Sequence, residues 1–303
     1  MTNTADTNDD RLLYLEFEKA AYEIAEHAGS IVVDALSRDI NVEYKDIQRS
    51  KGDSEPTDPV TEIDRRVEEF VREEVGKRFP GHAVLGEEQD SAPDPKAEYV
   101  WAIDPVDGTT NFVNKFPFFS ASIGILRKGY PVVGAVWSST THKLQPGVYH
   151  AFLGSSLKLD NEEISGMSKN SGLRRSLSAV PGGGEGRTPR WDTRVVGSTA
   201  VECVYVAVGI LRTAQFWRTR AWDVAGGIVL ARANGKEVYE FTNGAWEKFE
   251  KFIPPQHTKE DQKPGIRDWS ESLIVGTQED LNFLSTRLRR PGIIKRAARR
   301  ILG

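Results

Sequence analysis

Residues 101–112 read WAIDPVDGTTNF, and this stretch places polar and charged side chains directly after a hydrophobic run. The run, 99–103, is typical of a buried strand, and Asp104 and Asp107 follow it. An Asp-Gly pair such as Asp107-Gly108 is common in ordinary turns. Two carboxylates beside a glycine and two threonines would also suit a binding site. The rest of the sequence has to decide between a turn and a site.

The composition is that of an ordinary globular protein. The chain has 303 residues, of which 39% are hydrophobic and 28% are charged. Its net charge of -4 gives no reason to expect binding to nucleic acid. The single cysteine, Cys203, excludes an internal disulfide and a multi-cysteine zinc site. It also favours a reducing compartment.

The first ten residues, MTNTADTNDD, are polar and acidic, which is the reverse of a signal peptide. We expect them to be disordered. Since no apolar run approaches the ~18 residues of a membrane span, we expect a cytoplasmic protein without stable membrane insertion.

Hydrophobic periodicity predicts a mixture of helices and strands, and therefore an α+β fold. Helices are predicted at 12–36, 59–79, 197–211 and 222–233, and strands at 82–86, 99–103, 118–126, 131–138, within 147–164 and at 273–276. The second helix is predicted to begin at Pro59, with Asp58 as its N-cap. We divide the chain into a disordered N-terminus (1–10), an N-terminal α+β domain (11–145), a C-terminal α/β domain (146–286) and a basic tail (287–303).

Several acids fall beside apolar segments, where a lone carboxylate would be costly unless it were paired or bound to a metal. They lie on the second helix, after two strands, and at the start of a later helix: Asp64, Glu87, Glu88, Asp104, Asp107 and Asp223. Asp64 could instead be an exposed helix residue, Asp223 a helix N-cap, and Glu88 simply solvated. If the acids converge without matching lysines or histidines, an oxygen-liganded cation such as Mg²⁺, Mn²⁺ or Ca²⁺ fits best.

The residues after Asp107 suit an anion. Gly108 allows close approach of the backbone, and N–H groups at a helix start, such as those of Thr109 and Thr110, can point at a phosphate. A cation next to such a group indicates phosphoryl chemistry.

Four motifs together resemble the inositol monophosphatase family. They are DPVTEID (58–64), GEE (86–88), DPVDGTTNF (104–112) and WDVAGG (222–227), and the resemblance extends from about residue 15 to about 290. It implies a layered αβαβα sandwich, as also found in fructose-1,6-bisphosphatases, and a lithium-sensitive phosphatase that acts on a small phosphorylated substrate. It further implies a homodimer with two or three Mg²⁺ ions per active site, with Mn²⁺ as a possible substitute.

The resemblance also implies roles for individual residues. The metal ligands would be Glu87, Asp104, the carbonyl of Val106, Asp107 and Asp223. The catalytic residues that position and deprotonate the attacking water would be Asp64, Glu87 and Thr109. Contacts to phosphate and substrate would come from Asp107, Gly108, Thr109, Thr110, Gly197, Ser198, Thr199, Phe216, Arg218 and Arg220.

The chain departs from the family before Trp222. Inositol-selective members have a glutamate where Phe216 falls, and here Arg218 and Arg220 follow. Arginine side chains suit a second phosphate or a carboxylate, although two solvated arginines would explain the pattern equally well. We therefore expect a bisphosphate, a nucleotide 3'-phosphate or a specialised sugar or metabolite phosphate at least as readily as inositol monophosphate.

The basic tail leaves a second class of function open. Residues 287–300 contain seven basic residues and no acid, which would suit an interfacial helix or a solvated end. A non-catalytic binding or scaffold protein acting through this tail is therefore the alternative. The retained acids argue against it.

Overall fold

The computed structural model describes residues 8–38, 41–44, 59–164, 175–182, 188, 190–256 and 264–288. The helices are α1 (Asn8–Ala35), α2 (Glu62–Arg78), α3 (Thr109–Val113), α4 (Thr199–Val208), α5 (Ala221–Ala233) and α6 (Gln278–Ser285), with a 3₁₀ turn at Ile266–Asp268. The strands are β1 (Val42–Tyr44), β2 (Pro59–Thr61), β3 (Ala83–Gly86), β4 (Tyr99–Asp107), β5 (Ser120–Arg127), β6 (Tyr130–Ser138), β7 (Gly147–Phe152), β8 (Lys158–Leu159), β9 (Glu162–Glu163), β10 (Leu177–Ala179), β11 (Asp192–Arg194), β12 (Thr213–Arg220), β13 (Glu237–Thr242), β14 (Ala245–Lys248) and β15 (Ser270–Gly276).

The larger sheet has seven strands in the sequential order β3 to β9. Helices α1 and α2 cover one of its faces, because α1 carries apolar residues such as Phe17, Ala21 and Ile24 at helical spacing and buries them against it. β4 is buried along its whole length, with Trp101 fully enclosed. The sheet therefore forms a rigid base for whatever lies at the end of β4.

The opposite face of this sheet packs on α4 and α5, which are apolar almost all round because a second sheet covers their other side. That sheet has four strands in the order β12-β15-β13-β14, and α6 covers its outer face. The layers are therefore helices, sheet, helices, sheet and helix. The predicted layered αβαβα sandwich is confirmed.

The domain limits proposed from sequence can be located on the described residues. Residues 145 and 146 lie between β6 and β7, which pair with each other in the same sheet. Residues 8–10 belong to α1 rather than to a disordered end. Residues 1–7 lie outside the described residues, as does the basic tail beyond 288.

The start of the second helix also differs from the prediction. Pro59 belongs to β2, which pairs with β1, and the helix begins at Glu62 with Thr61 as its N-cap. Thr61 and Asp64 form a capping box, in which the Asp64 side chain accepts from the Thr61 N–H. Asp58, the predicted cap, lies outside the described residues. In the described part of the chain, no helix combines the length and the apolar character needed to cross a bilayer.

Candidate active site

The end of β4 carries both acids of the WAIDPVDGTTNF stretch. Asp104 lies opposite Ser122 of β5, and Asp107 lies opposite Ser120, so three steps on β4 match two on β5. This irregularity contains Pro105, which has no N–H to donate to the ladder. The break in register turns the two carboxylates toward different surroundings.

Asp104 belongs to a cluster of three carboxylates. One oxygen from each of Glu87, Asp104 and Asp223 can be chosen so that all three lie within 4.8 Å of one another. Asp104 Oδ1 is buried and makes no hydrogen bond within the described part of the chain. Burial, followed by the charge of Glu87, raises the pKa of Asp104 well above its usual value. Burial and then Glu87 likewise raise the pKa of Asp223 to about 7.

Asp223 is held by the first turn of α5. Its Oδ2 accepts hydrogen bonds from the Thr219 hydroxyl and from the Arg220 N–H, each at 2.8 Å. The N-cap of this helix is Arg220, and Asp223 is the third helical residue. Asp223 therefore supports the helix start, as a capping residue would, while part of its carboxylate remains in the cluster.

Glu87 follows β3 and is positioned by Glu68, a residue of α2 that the sequence analysis did not single out. The buried Glu68 carboxylate accepts the N–H groups of Glu88 at 2.7 Å and Gln89 at 3.2 Å. Gly86 makes room for it, because a Cβ there would lie 2.2 Å from the Glu68 carboxylate. The only sequence signal for Glu68 was its position one helical turn after Asp64.

Asp107 lies outside the cluster of three. Its Oδ2 accepts from the hydroxyls of Ser120, at 2.9 Å, and of Ser198, and from the Ala200 N–H at 2.8 Å; its Oδ1 accepts the Thr199 N–H at 2.9 Å. Burial raises the pKa of Asp107, while these hydrogen bonds oppose the rise. The carboxylate thus fastens the end of β4 to the N-terminus of α4.

This fastening involves two residues that were predicted to contact substrate, Ser198 and Thr199, and the third, Gly197, lies next to them. Ser198 is the buried N-cap of α4, and Thr199 gives its N–H to Asp107. Gly197 precedes them with a φ of 81°. Below them Glu202, buried in α4, accepts the N–H groups of Val196 and Gly197. Burial raises the pKa of Glu202 to about 8.

The predicted pair of water-positioning residues is brought together. Thr109 Oγ1 lies 3.4 Å from Asp64 Oδ1 and donates at 2.9 Å to the carbonyl of Val106. Gly108 begins the short α3 with a φ of 87°, and a Cβ there would lie 3.0 Å from the Gly197 carbonyl. Glycine is therefore the residue this turn requires. Thr110 is exposed on the same turn.

The residues expected to select the substrate divide into two groups. Phe216 is buried in the core between the second sheet and the helices. Arg218 and Arg220 are exposed at the end of β12, and neither forms an ion pair with a described residue. Arg218 has a φ of 55° at an irregularity between Phe216 and Thr219. Thr219 and Arg220 contact Asp223 directly, so both arginines lie on the segment that leads into the cluster.

The donor set fits a divalent cation that prefers oxygen ligands. Three carboxylates converge, and one of their oxygens is buried without a hydrogen bond to the described chain. Burial, and after it the repulsion between the carboxylates, raises the pKa of Asp104 and of Asp223. A cation would relieve that repulsion. The set contains no histidine or cysteine, which argues for Mg²⁺ or Mn²⁺ rather than zinc.

Sequence and structure comparisons with known proteins agree with the family resemblance of the four motifs. A model of the inositol monophosphatase family matches residues 14–263. Inositol monophosphatase 3 of Solanum lycopersicum is 31% identical over 246 residues, covering 74% of this chain and 86% of that protein. The chloroplastic phosphatase IMPL1 of Arabidopsis thaliana is 28% identical over 256 residues, covering 76% of this chain and 64%, just under two thirds, of that protein. The IMPase of Thermotoga maritima has the same fold, with a TM-score of 0.67, 24% identity and coverage of 90% of this chain and 95% of that one.

Proposed function

The chain belongs to the inositol monophosphatase family, and we propose that it is a Mg²⁺-dependent phosphomonoesterase that hydrolyses a small phosphorylated metabolite by direct attack of water. As a member of this family it is a phosphoric monoester hydrolase. The metal, the attacking group and the substrate are the parts that we infer.

The observation that carries the proposal is the cluster of Glu87, Asp104 and Asp223. One buried and two half-buried carboxylates so close together are costly without a cation. We propose that they hold Mg²⁺, with Mn²⁺ as a substitute, and that the Val106 carbonyl and Asp107 complete a site for two or three ions. A bound ion would supply Lewis acidity at neutral pH and would neutralise charge on the leaving oxygen.

The remaining roles belong to the protein. Asp64 and Thr109, 3.4 Å apart, would orient the attacking water and accept its proton, assisted by Glu87. The N–H groups of Gly108, Thr109 and Thr110 would bind the phosphate oxygens. No covalent phosphoenzyme is required, since water attacks the phosphorus directly.

Phosphate release tests this function. The purified protein is assayed with and without Mg²⁺, and with added Li⁺, against a panel of inositol, fructose 1,6-bisphosphate, nucleotide, histidinol and NADP phosphates. We expect release from at least one ester that requires Mg²⁺ and is inhibited by Li⁺. Release from none of them would favour the alternative of a non-catalytic binding or scaffold protein.

We further propose that the substrate carries a second anionic group. Arg218 and Arg220 are exposed, form no ion pair with described residues, and lie on the segment that ends at Asp223. Guanidinium groups bind phosphate and carboxylate through paired hydrogen bonds. Phe216 is buried and offers no acceptor for a sugar hydroxyl. A bisphosphate, a nucleotide 3'-phosphate or another specialised metabolite phosphate therefore fits better than inositol monophosphate.

Substitution of both arginines tests this substrate class. Arg218→Ala/Arg220→Ala should lower kcat/KM for a doubly anionic substrate by about tenfold, or about 1.4 kcal/mol, mainly through KM. It should change the hydrolysis of a phosphate monoester that has no second anionic group much less. Equal activity of both proteins on inositol monophosphate, with no faster substrate in the panel, would contradict the proposal.

The family resemblance also supports a homodimer and lithium sensitivity, and the single cysteine, Cys203, supports the proposed cytoplasmic location. Size-exclusion chromatography with light scattering, the Li⁺ arm of the phosphate assay and fractionation of cells test these three in turn.

A further inference from the structure

Arg267 contacts both segments that carry the outer acids of the cluster. It belongs to the 3₁₀ turn before β15, far in sequence from either segment. Its Nη1 donates to the Gly86 carbonyl at 2.6 Å and its Nη2 to the Glu87 carbonyl at 3.2 Å. The same guanidinium lies 5.1 Å from the ring centroid of Trp222, the neighbour of Asp223.

The segment around Glu87 needs such support. It follows β3, which among the described strands pairs with β4 alone, and after Gly86 the chain leaves the sheet. Glu68 binds the N–H groups of Glu88 and Gln89, and Arg267 binds the carbonyls just before them. The backbone N–H groups of this short segment are thus bound by a carboxylate, and its backbone carbonyls by a guanidinium.

The contact with Trp222 links this segment to α5. Trp222 is 8% exposed, and the Arg267 side chain is 17% exposed, so the guanidinium lies largely out of solvent. A planar cation over an indole ring is attracted electrostatically and keeps the ring in place. Asp104 needs no such link, because it lies within the buried strand β4.

We propose that Arg267 is a positioning residue that fixes Glu87 relative to Asp223 and so sets the affinity of the acidic cluster for its divalent cation. This inference rests on the proposed function, because it takes Glu87 and Asp223 as ligands. Arg267 itself touches neither the cation nor the substrate. The ion pair of Arg267 with Asp90, at 3.0 Å, contributes little, because Asp90 is fully exposed.

The test is a titration of the metal-free protein with Mn²⁺, following free Mn²⁺ by electron paramagnetic resonance. Arg267→Gln should weaken binding by about tenfold, as removal of a group that orients a metal ligand typically does. Arg267→Lys should give a smaller loss, since a lysine keeps the charge but lacks the planar fork. In the phosphatase assay, Arg267→Gln should raise the half-saturating Mg²⁺ concentration by a similar factor while kcat at saturating Mg²⁺ changes less than twofold.

Two control variants separate an effect on the position of Glu87 from a general loss of folding stability. Asp90→Asn removes only the exposed ion pair and should leave Mn²⁺ affinity within twofold of the unaltered protein. Arg190→Gln removes another arginine that stacks on aromatic rings, those of Trp191 and Phe283, and pairs with Glu279. It should lower thermal stability without changing Mn²⁺ affinity.

The outcomes are distinguishable. Unchanged Mn²⁺ affinity in Arg267→Gln, alongside saturable binding by the unaltered protein, would overturn the inference and leave the proposed function standing. Absence of saturable binding by the unaltered protein would overturn both. If Arg267→Gln does not fold, Arg267→Lys decides, with a loss of at least threefold expected and equal affinity contradicting the inference.

Discussion

Asp104 and Asp107 lie three residues apart on one strand, yet their surroundings are opposite. Asp104 has an oxygen that is buried without a hydrogen bond in the described chain, next to two other carboxylates. Asp107 accepts four hydrogen bonds from two hydroxyls and two N–H groups. Both are buried aspartates in the same motif. The hydrogen bonds of Asp107 hold β4 and α4 together, whereas Asp104 contributes no such fastening through its Oδ1. The proposed role of Asp107 as a metal ligand would therefore add to a structural role, and that of Asp104 would not.

The largest effect is expected from Asp104→Asn. Phosphate release should fall by about 1000-fold, equivalent to about 4 kcal/mol of transition-state stabilisation, because the cluster loses the charge at its centre. In EDTA the variant should be as stable as the unaltered protein or more so, since an amide avoids both the burial of a charge, which is the main reason for the raised pKa of Asp104, and the repulsion from neighbouring carboxylates. Phosphate assays and urea denaturation in EDTA measure the two quantities. A marked loss of stability of Asp104→Asn in EDTA would mean that Asp104, like Asp107, stabilises the metal-free fold.

Asp107→Asn should instead destabilise the metal-free protein. The amide group would face N–H and O–H donors that now point at a carboxylate, and unsatisfied buried donors cost about 2 to 3 kcal/mol in all. Urea denaturation in EDTA gives the free energy of unfolding. Ser120→Ala removes one of the four donors and is the matched control, with a smaller loss expected. Equal stability of Asp107→Asn and the unaltered protein would show that the fastening of α4 is unimportant.

The smallest effect is expected from Glu202→Gln, and it should depend on pH. The pKa of Glu202 is raised from 4.5 to about 8 in the folded protein, so its contribution to stability is lost as the pH rises through this range. The glutamine can accept the same two N–H groups and does not titrate. The variant should match the unaltered protein near pH 4.5, and its advantage in stability should grow steadily as the pH rises toward 8.

Thermal unfolding in EDTA between pH 4.5 and 8.5 measures this difference. Glu163→Gln, on the exposed strand β9, is the control and should run parallel to the unaltered protein. Parallel curves for Glu202→Gln as well would mean that Glu202 does not keep its proton in the folded state. Glu202 would then be ionised in the folded protein, close to Asp107, despite its burial.

Much of the fold could be predicted from sequence where the pattern is local. The spacing of Phe17, Ala21 and Ile24 predicts α1, and the apolar run before Asp104 predicts β4. The second sheet was largely missed. β12, β13 and β14 are partly polar, so their apolar patterns are weak. The sheet places β15 between β12 and β13, so its pairing depends on residues far apart in sequence. The start of α2 was misplaced because Pro59 fits an edge strand as well as a first helical turn.

The reaction class can be read from four short motifs alone, since they contain the acids, the glycine and the threonines of the proposed phosphate and cation site. The surroundings of each acid, in contrast, follow from contacts between distant elements. The break in register on β4 sends Asp104 toward Glu87 and Asp223, and sends Asp107 toward α4. Glu68 and Arg267, which hold Glu87 from two sides, come from distant elements. A carboxylate's role depends on which donors and charges surround it in space, and those neighbours are set by packing rather than by adjacency along the chain.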